Sequence, residues 1–209
     1  MGTPRVLVLT STLPKREGDG TPAFVADLAR EMAREFEVRV LAPAVPGATA
    51  RDRIGEVEVV RYRYFPSRWE DLADGAILEN VRARRSRMMQ VPFLLGGLAA
   101  ALRREVREFR PDALHAHWVV PQGVVADRVA RDLPTVVTTL GGDLYALNSG
   151  FARSQKARAL RDAAAVTVMN ADMRDRAIEL GADPATTHVM PVGARFVQLD
   201  RDTRQVTKP

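Results

Sequence analysis

Three short stretches bring glycines, carboxylates and histidines together in patterns suited to polar ligands. In "TTLGGDLY" (138–145) a β-branched run stops at Leu140, and Gly141, Gly142 and Asp143 follow. Paired glycines carry an entropic cost, so a chain uses them where its backbone must bend sharply or let another group come close. The aspartate after them would accept hydrogen bonds from hydroxyls or orient the loop. In "EGDG" (17–20), Gly18, Asp19 and Gly20 precede a helix-like segment. A glycine loop feeding a helix N-terminus offers free N–H groups and the positive end of the helix dipole to a phosphate; a plain surface turn is the alternative. In "DALHAHW" (112–118), His115 and His117 stand two apart, hence on one side of an extended segment, with Trp118 expected to point the other way.

Other chemistries lack their parts. Gly18, Gly20 and Ala23 spell the dinucleotide fingerprint G-x-G-x-x-A, but residues 11–17 separate them from the preceding apolar run. No acidic residue closes the second strand to hold a ribose either. There is no G-x-S-x-G elbow, G-K-[ST] phosphate loop or H-E-x-x-H helix. The two histidines have no third ligand at a plausible spacing, so no metal is expected. Absence of cysteine removes disulfides and thiolate sites. His115 reads as a core histidine donating to a backbone carbonyl. His117, nearer the strand end, would reach a ligand hydroxyl, and His188 reads as structural.

The elements that must hold these groups follow from periodicity. "RVLVLT" (5–10) is an apolar run of strand length, as in a strand buried on both faces. Thr21 is placed to cap a helix with Pro22 at its first position, and Phe24, Leu28 and Met32 would form its apolar stripe. "FEVRVLAP" (36–43) and "GEVEVVRYRYFP" (55–66) are the second and third strands. "RARRSRMMQ" (82–90) reads as helical, and Pro92 opens a helix with Leu95, Leu98, Leu102, Val106 and Phe109 on one stripe. Residues 112–118 form a fourth strand, followed by a helix near 122–131, a fifth strand at 134–140 and a basic helix over 151–162. A sixth strand covers 165–170, Asn170 caps the next helix, Gly181 ends it, and 187–192 is a seventh strand. Alternation at these lengths predicts an α/β fold: a doubly wound, mostly parallel, Rossmann-like sheet flanked by helices, in a single domain. Ligands of such sheets bind beyond the carboxyl ends of the strands, where strand order reverses. The three stretches all fall there.

Length and composition agree: 209 residues, 46% hydrophobic and 27% charged, can bury a real core. The net charge of +5 would suit nucleic acid, anionic membrane or phosphorylated substrates. The arginines are interspersed with Asp and Glu along helix-like segments, so no nucleic-acid partner is expected. The longest apolar run, 91–102, is too short to span a bilayer, and the N-terminus reads as a strand, not a signal peptide. A cytoplasmic protein is expected. Arg82, Arg84, Arg85 and Arg87 beside Met88, Met89 and "VPFLLGG" would suit contact with a membrane surface; a solvated helix face is the alternative.

Taken together, the glycine loop before "FVADLAREMAREFEVRVLAP", then "RPDALHAHWVVPQGVVA", "TTLGGDLY" and "AVTVMNADMRDRAIELGADPATTHVMPVG" resemble a known family. They are similar, in order and spacing, to the N-terminal domain of retaining GT-B-fold glycosyltransferases of the large family 4. The resemblance implies the acceptor side of a cleft, with a nucleotide-sugar donor, an acceptor and no metal or other cofactor. It implies catalytic roles for His117 and Asp143. Gly141, Gly142 and Trp118 would border the substrates, and Gly18, Asp19 and Gly20 would lie near the donor diphosphate.

The chain departs from the family at Leu140, where a histidine that contacts the donor sugar is usual. It departs again at Pro191, Val192, Gly193, Ala194 and Arg195, in place of the hinge Pro-Asn-Gly-Val-Asp. The domain is expected to cover 1–195, with 196–209 a linker or tail. The nucleotide-sugar domain with its Glu-x7-Glu motif would be supplied in cis, or by a partner subunit in trans. The isolated chain would then be inactive; a non-catalytic binding or partner subunit is the alternative.

Overall fold

Each apolar run of strand length becomes a strand, and amphipathic segments return the chain between them. The computed structural model describes residues 2–16 and 18–192; Gly193, Ala194 and Arg195, the boundary expected at 195 and the tail 196–209 lie outside the described residues. The strands are β1 (Arg5–Leu9), β2 (Glu37–Pro43), β3 (Arg51–Ile54), β4 (Val57–Tyr62), β5 (Ala113–His117), β6 (Thr135–Thr138), β7 (Ala165–Val168) and β8 (Thr187–Val189). The helices are α1 (Phe24–Met32), α2 (Ile77–Ala83), α3 (Val91–Glu108), α4 (Val124–Val129), α5 (Gly142–Tyr145), α6 (Gly150–Arg161) and α7 (Ala171–Glu179).

The strand order is β3-β4-β2-β1-β5-β6-β7-β8, parallel except for the β3–β4 pair. From β1 the chain first builds outward to β2 and β4, then returns through α3 to β5 on β1's other side. The switch point therefore lies between β1 and β5, where Leu9 is in register with Ala116. One face of the sheet packs on α3 and α4 through Leu7, Leu9, Leu41, Leu98, Leu102 and Leu114. The same face continues under α6 and α7 through Val137, Val166, Val168, Leu160 and Met173. The other face carries Val6, Val8, Val38, Val40 and Val59 against Val25, Ala26 and Ala29 of α1.

Several local expectations change. Residues 55–66 are not one strand: Gly55, at φ +64°, turns the chain so that Arg51–Ile54 pairs antiparallel with β4. The charges of Arg51, Asp52 and Arg53 hide that strand from a search for apolar runs, because an edge strand faces water. Thr21 does not cap α1; its N–H donates to Asp19 Oδ1 at 2.7 Å, and the helix starts after Ala23. On α1 the buried residues are Val25, Ala26 and Ala29, while Leu28 is exposed. On α3 they are Leu94, Leu98, Ala101, Leu102 and Glu105, while Leu95 is exposed. Residues 82–90 are not one helix, since α2 stops at Ala83 and a 3-10 turn covers 85–90. Asn170 does cap α7, accepting from Met173 N–H at 2.9 Å, and Gly181 follows it at φ +114°.

Candidate active site

The carboxyl end of β5 is the best-braced point at the switch. Trp118, the next residue, sits at φ +73°, ψ +136°, a conformation that costs a residue with a Cβ about 1–3 kcal/mol. Its neighbours hold it there. Trp118 N–H donates to the Thr138 carbonyl at 2.8 Å, and Val119 N–H donates to Asp143 Oδ2 at 2.7 Å. With its amide oriented to satisfy its neighbours, the buried Gln122 donates to the His117 carbonyl at 3.1 Å and accepts from Ser11 N–H at 2.9 Å, joining the ends of β5 and β1. The positive φ also overturns the expected strand alternation. Trp118 does not point away from His117; its ring packs edge-on against Phe24 (6.1 Å) and near His117 (6.4 Å).

His117 is 1% exposed, and neither ring nitrogen has a partner. His115 stacks on it with ring centroids 4.4 Å apart, and Phe24 meets it edge-on at 6.4 Å. Burial, then the neighbouring His115, hold its pKa well below 6.5, so the ring is neutral at physiological pH. His115 meets the Thr138 hydroxyl at 2.8 Å, not a backbone carbonyl, and Thr138 in turn meets Thr167 at 2.7 Å. Burial lowers the His115 pKa to about 4.

The glycine pair follows β6. Gly141 has φ +105°, and a Cβ built on Gly141 or Gly142 would meet nothing within 4 Å. Here the backbone lies bare. Asp143 is 6% exposed, and its oxygens accept from Val119 N–H (2.7 Å) and Leu140 N–H (3.2 Å). Its carboxylate thus ties two loops together, in line with the loop-orienting role expected of it. Burial raises its pKa against the lowering effect of those backbone bonds.

Lys156 was invisible to motif reading and is fully buried. Its ammonium donates to the carbonyls of Asp143 (3.3 Å), Leu144 (3.1 Å) and Ala146 (2.6 Å) and to Asn148 Oδ1 (3.3 Å). These carbonyls end the single turn α5, which leaves them without intrahelical donors. Burial lowers the Lys156 pKa. A signal did exist: Lys156 is one of only three lysines among 31 basic residues. An ammonium converges on several carbonyls where a planar guanidinium does not.

The loop of Gly18, Asp19 and Gly20 is held separately. Asp19 accepts from Lys15 N–H (2.6 Å) and Thr21 N–H (2.7 Å), and the backbone bond from Lys15 leads in lowering its pKa. Arg61, 5% exposed at the end of β4, donates to the Pro14 carbonyl at 2.6 Å. A hollow of about 440 Å³ beside this loop is lined by Lys15, Arg16, Asp19, Gly20, Pro46 and Asp74, among others. It opens towards the loop after β2. The structure thus brings His117, Trp118 and Gly141–Asp143 together, while the glycine loop faces the β2–β4 side of the same edge. Among the described residues no three His, Cys, Asp or Glu side chains are grouped to hold a metal ion.

The sequence profile of the glycosyl transferase 4-like domain matches residues 19–193, starting in the glycine loop. The chain belongs to that family. A search of curated proteins finds no match. Among solved structures, sucrose-phosphate synthase from Thermosynechococcus elongatus superposes with a TM-score of 0.63 at 11% identity, over 91% of this chain and 48% of that one. HepE from Anabaena in complex with UDP-glucose gives 0.52 at 17% identity, over 91% and 44%. UDP-N-acetylglucosamine 2-epimerase from Rickettsia bellii gives 0.53 at 10%, over 89% and 44%. At such identities the likeness concerns the fold, which is that of one half of a GT-B enzyme. The chain spans about half the length of these three.

Proposed function

We propose that this domain is the acceptor-side half of a glycosyltransferase that takes a sugar from a nucleotide-sugar donor. The supporting observation is the bare backbone at Gly141–Gly142, held beside the switch point by Asp143 and Lys156. A sugar ring approaching there would meet main chain, with no side chain in its way. UDP-glucose, the ligand named for the HepE complex, represents the donor class. Asp143 then acts as a positioning residue, and His117 as a neutral group whose ring nitrogens become useful only if Phe24 or Trp118 shifts. The groups that meet the charge of the leaving diphosphate belong to a second domain, in cis or in trans, so the isolated chain is inactive. The protein works in the cytoplasm, and the reaction as proposed needs no metal.

Calorimetry of the chain with UDP-glucose tests the division of labour. Dissociation at about 1 mM or weaker, roughly 4 kcal/mol, is expected. Micromolar binding would place the nucleotide site on this half and overturn the reading. A second reading, a non-catalytic partner subunit, is favoured by Leu140, which offers only its backbone N–H, to Asp143. Transfer activity once a nucleotide-sugar-binding second domain is supplied decides between the two.

A further inference from the structure

The first turns of α3 are apolar on every side. Leu94, Leu98, Ala101 and Leu102 face the core, whereas Phe93 (55%) and Leu95 are exposed. A helix that is apolar all round belongs in an environment that covers both sides, and only one side of this one is packed. The preceding 3-10 turn adds Met88 and Met89, 56% and 69% exposed. Met89, Phe93, Gly96 and Ala100 continue as one exposed stripe at helical spacing. Beside the stripe runs an open groove of about 560 Å³, in which Phe65 and Phe93 meet edge to face at 5.3 Å. Its floor depends on glycine. A Cβ at Gly97 would lie 3.1 Å from the Arg63 carbonyl oxygen, while one at Gly96 would meet nothing within 4 Å.

The exposed charges of residues 79–87 are basic except for Glu79. Arg82, Arg84 and Arg85 are exposed, and none has a carboxylate partner among the described residues; Arg87, in contrast, is held by Asp71 at 2.6 Å. We infer that this face docks on the surface of an anionic lipid bilayer. Met88, Met89 and Phe93 enter the boundary between headgroups and acyl chains, and the three arginines lie over lipid phosphates. Flexible methionines and unpaired cations on neighbouring turns fit a fluid, diffusely charged surface better than the fixed carboxylates of a folded partner. Because α3 follows β4, its apolar start lies at the carboxyl edge of the sheet, on the same side as the candidate site. Docking would therefore present that edge to a lipid-linked acceptor. This consequence rests on the transferase reading; the docking itself does not, so the two can fail separately.

Sedimentation with vesicles tests it, comparing phosphatidylcholine alone with phosphatidylcholine containing phosphatidylglycerol. The chain is expected to pellet with the anionic vesicles at low salt, to be released by added salt, and to stay in solution with the neutral ones. Arg84→Glu with Arg85→Glu should weaken retention at least about tenfold. The charge-matched pair Arg103→Glu with Arg107→Glu, exposed further along α3, should leave it unchanged. Met89→Ser with Phe93→Ser should weaken retention even at low salt. The arginines are exposed and unpaired, so an unchanged thermal midpoint is expected of those pairs; Phe93→Ser also gives up the edge contact with Phe65, so a small fall is expected there, and folding is checked for every variant. Retention on neither vesicle, equal retention on both, or equal loss from the two arginine pairs would overturn the proposal.

Discussion

Replacing Lys156 by methionine tests the glycine loop without touching the surface it presents. Methionine keeps the length and apolar stem of the side chain and loses every donor. Four oxygens lie within 2.6–3.3 Å of the ammonium, three of them carbonyls at the end of α5. A buried acceptor left bare costs about 1–3 kcal/mol, which for three carbonyls gives roughly 3–9 kcal/mol as a ceiling. Two effects reduce this. The variant no longer buries a charge, whose desolvation costs several kcal/mol even after relaxation. Water can also reach the outermost acceptor, since Ala146 is only half-buried and Asn148 is exposed.

A net loss of about 2–4 kcal/mol remains, a large part of the 5–15 kcal/mol typical of a domain. Urea denaturation of the wild type and the variant measures it. Hydrogen exchange over residues 141–148 should rise by more than exchange in β1 and β5, because the loop opens locally before the sheet does. Lys156→Arg should not rescue the loop, since a flat guanidinium cannot converge on three carbonyls. If Lys156→Met lost less than about 0.5 kcal/mol and left exchange in 141–148 unchanged, the ammonium would not be the lock and the reasoning would fail.

Two further predictions concern the histidines and the glycines. The His115 pKa falls from 6.5 in the unfolded chain to about 4 in the folded one. The unfolded chain therefore takes up a proton first, and the stability present above pH 6.5 is lost as pH drops towards 4. At 1.36 kcal/mol per pKa unit this amounts to about 3 kcal/mol. His117 acts in the same direction, and His115→Leu should flatten the acid limb of the urea midpoint against pH; an unchanged slope would contradict this assignment. Gly142→Val should leave the thermal midpoint nearly unchanged, because its side chain meets open space and valine's helix propensity is no worse than glycine's. The same change should abolish transfer in an enzyme reconstituted with its second domain; retained transfer would separate the glycines from the sugar site.

How much of this was legible in the sequence depends on what each residue reveals by type. β1, β2, β6 and β7 could be read because a largely buried strand is a near-continuous apolar run. β3 could not, since its arginines and aspartate face water along an edge. The faces of α1 and α3 were each partly misplaced: Leu28 and Leu95 recur at the right spacing, but α1 buries the small Ala26 and Ala29 beside Val25, and the first turns of α3 are apolar all round. That these stretches meet at the carboxyl edge was readable because their glycines and histidines fall at strand ends. Its internal wiring was not. Nothing in the letters "HWVV" announces a positive φ at Trp118, and that one dihedral angle decides where the indole packs. Lys156 lies far enough along the chain from Asp143 that only the folded helix α6 brings its ammonium beneath the loop.

That wiring bears on why the loop has two glycines. A hinge would need freedom, and glycines in a hinge would gain nothing from firm anchors. Here residues 140–148 are gripped at both ends by buried charges. Asp143 accepts from the N–H groups of Leu140 and, across the loops, of Val119; Lys156 donates to the carbonyls of Asp143, Leu144 and Ala146. The same carboxylate braces the strained Trp118 turn, so release of one loop would loosen the other. Burying both charges carries a desolvation cost, visible in the raised pKa of Asp143 and the lowered pKa of Lys156. A fold retains such an arrangement where a piece of backbone must stay still while remaining bare. Gly141 and Gly142 fit that description: open space where side chains would be, on a loop that is prevented from filling it. On the proposed transferase reading, close approach of a ligand to a fixed main chain would account for both features, whereas flexibility accounts for neither.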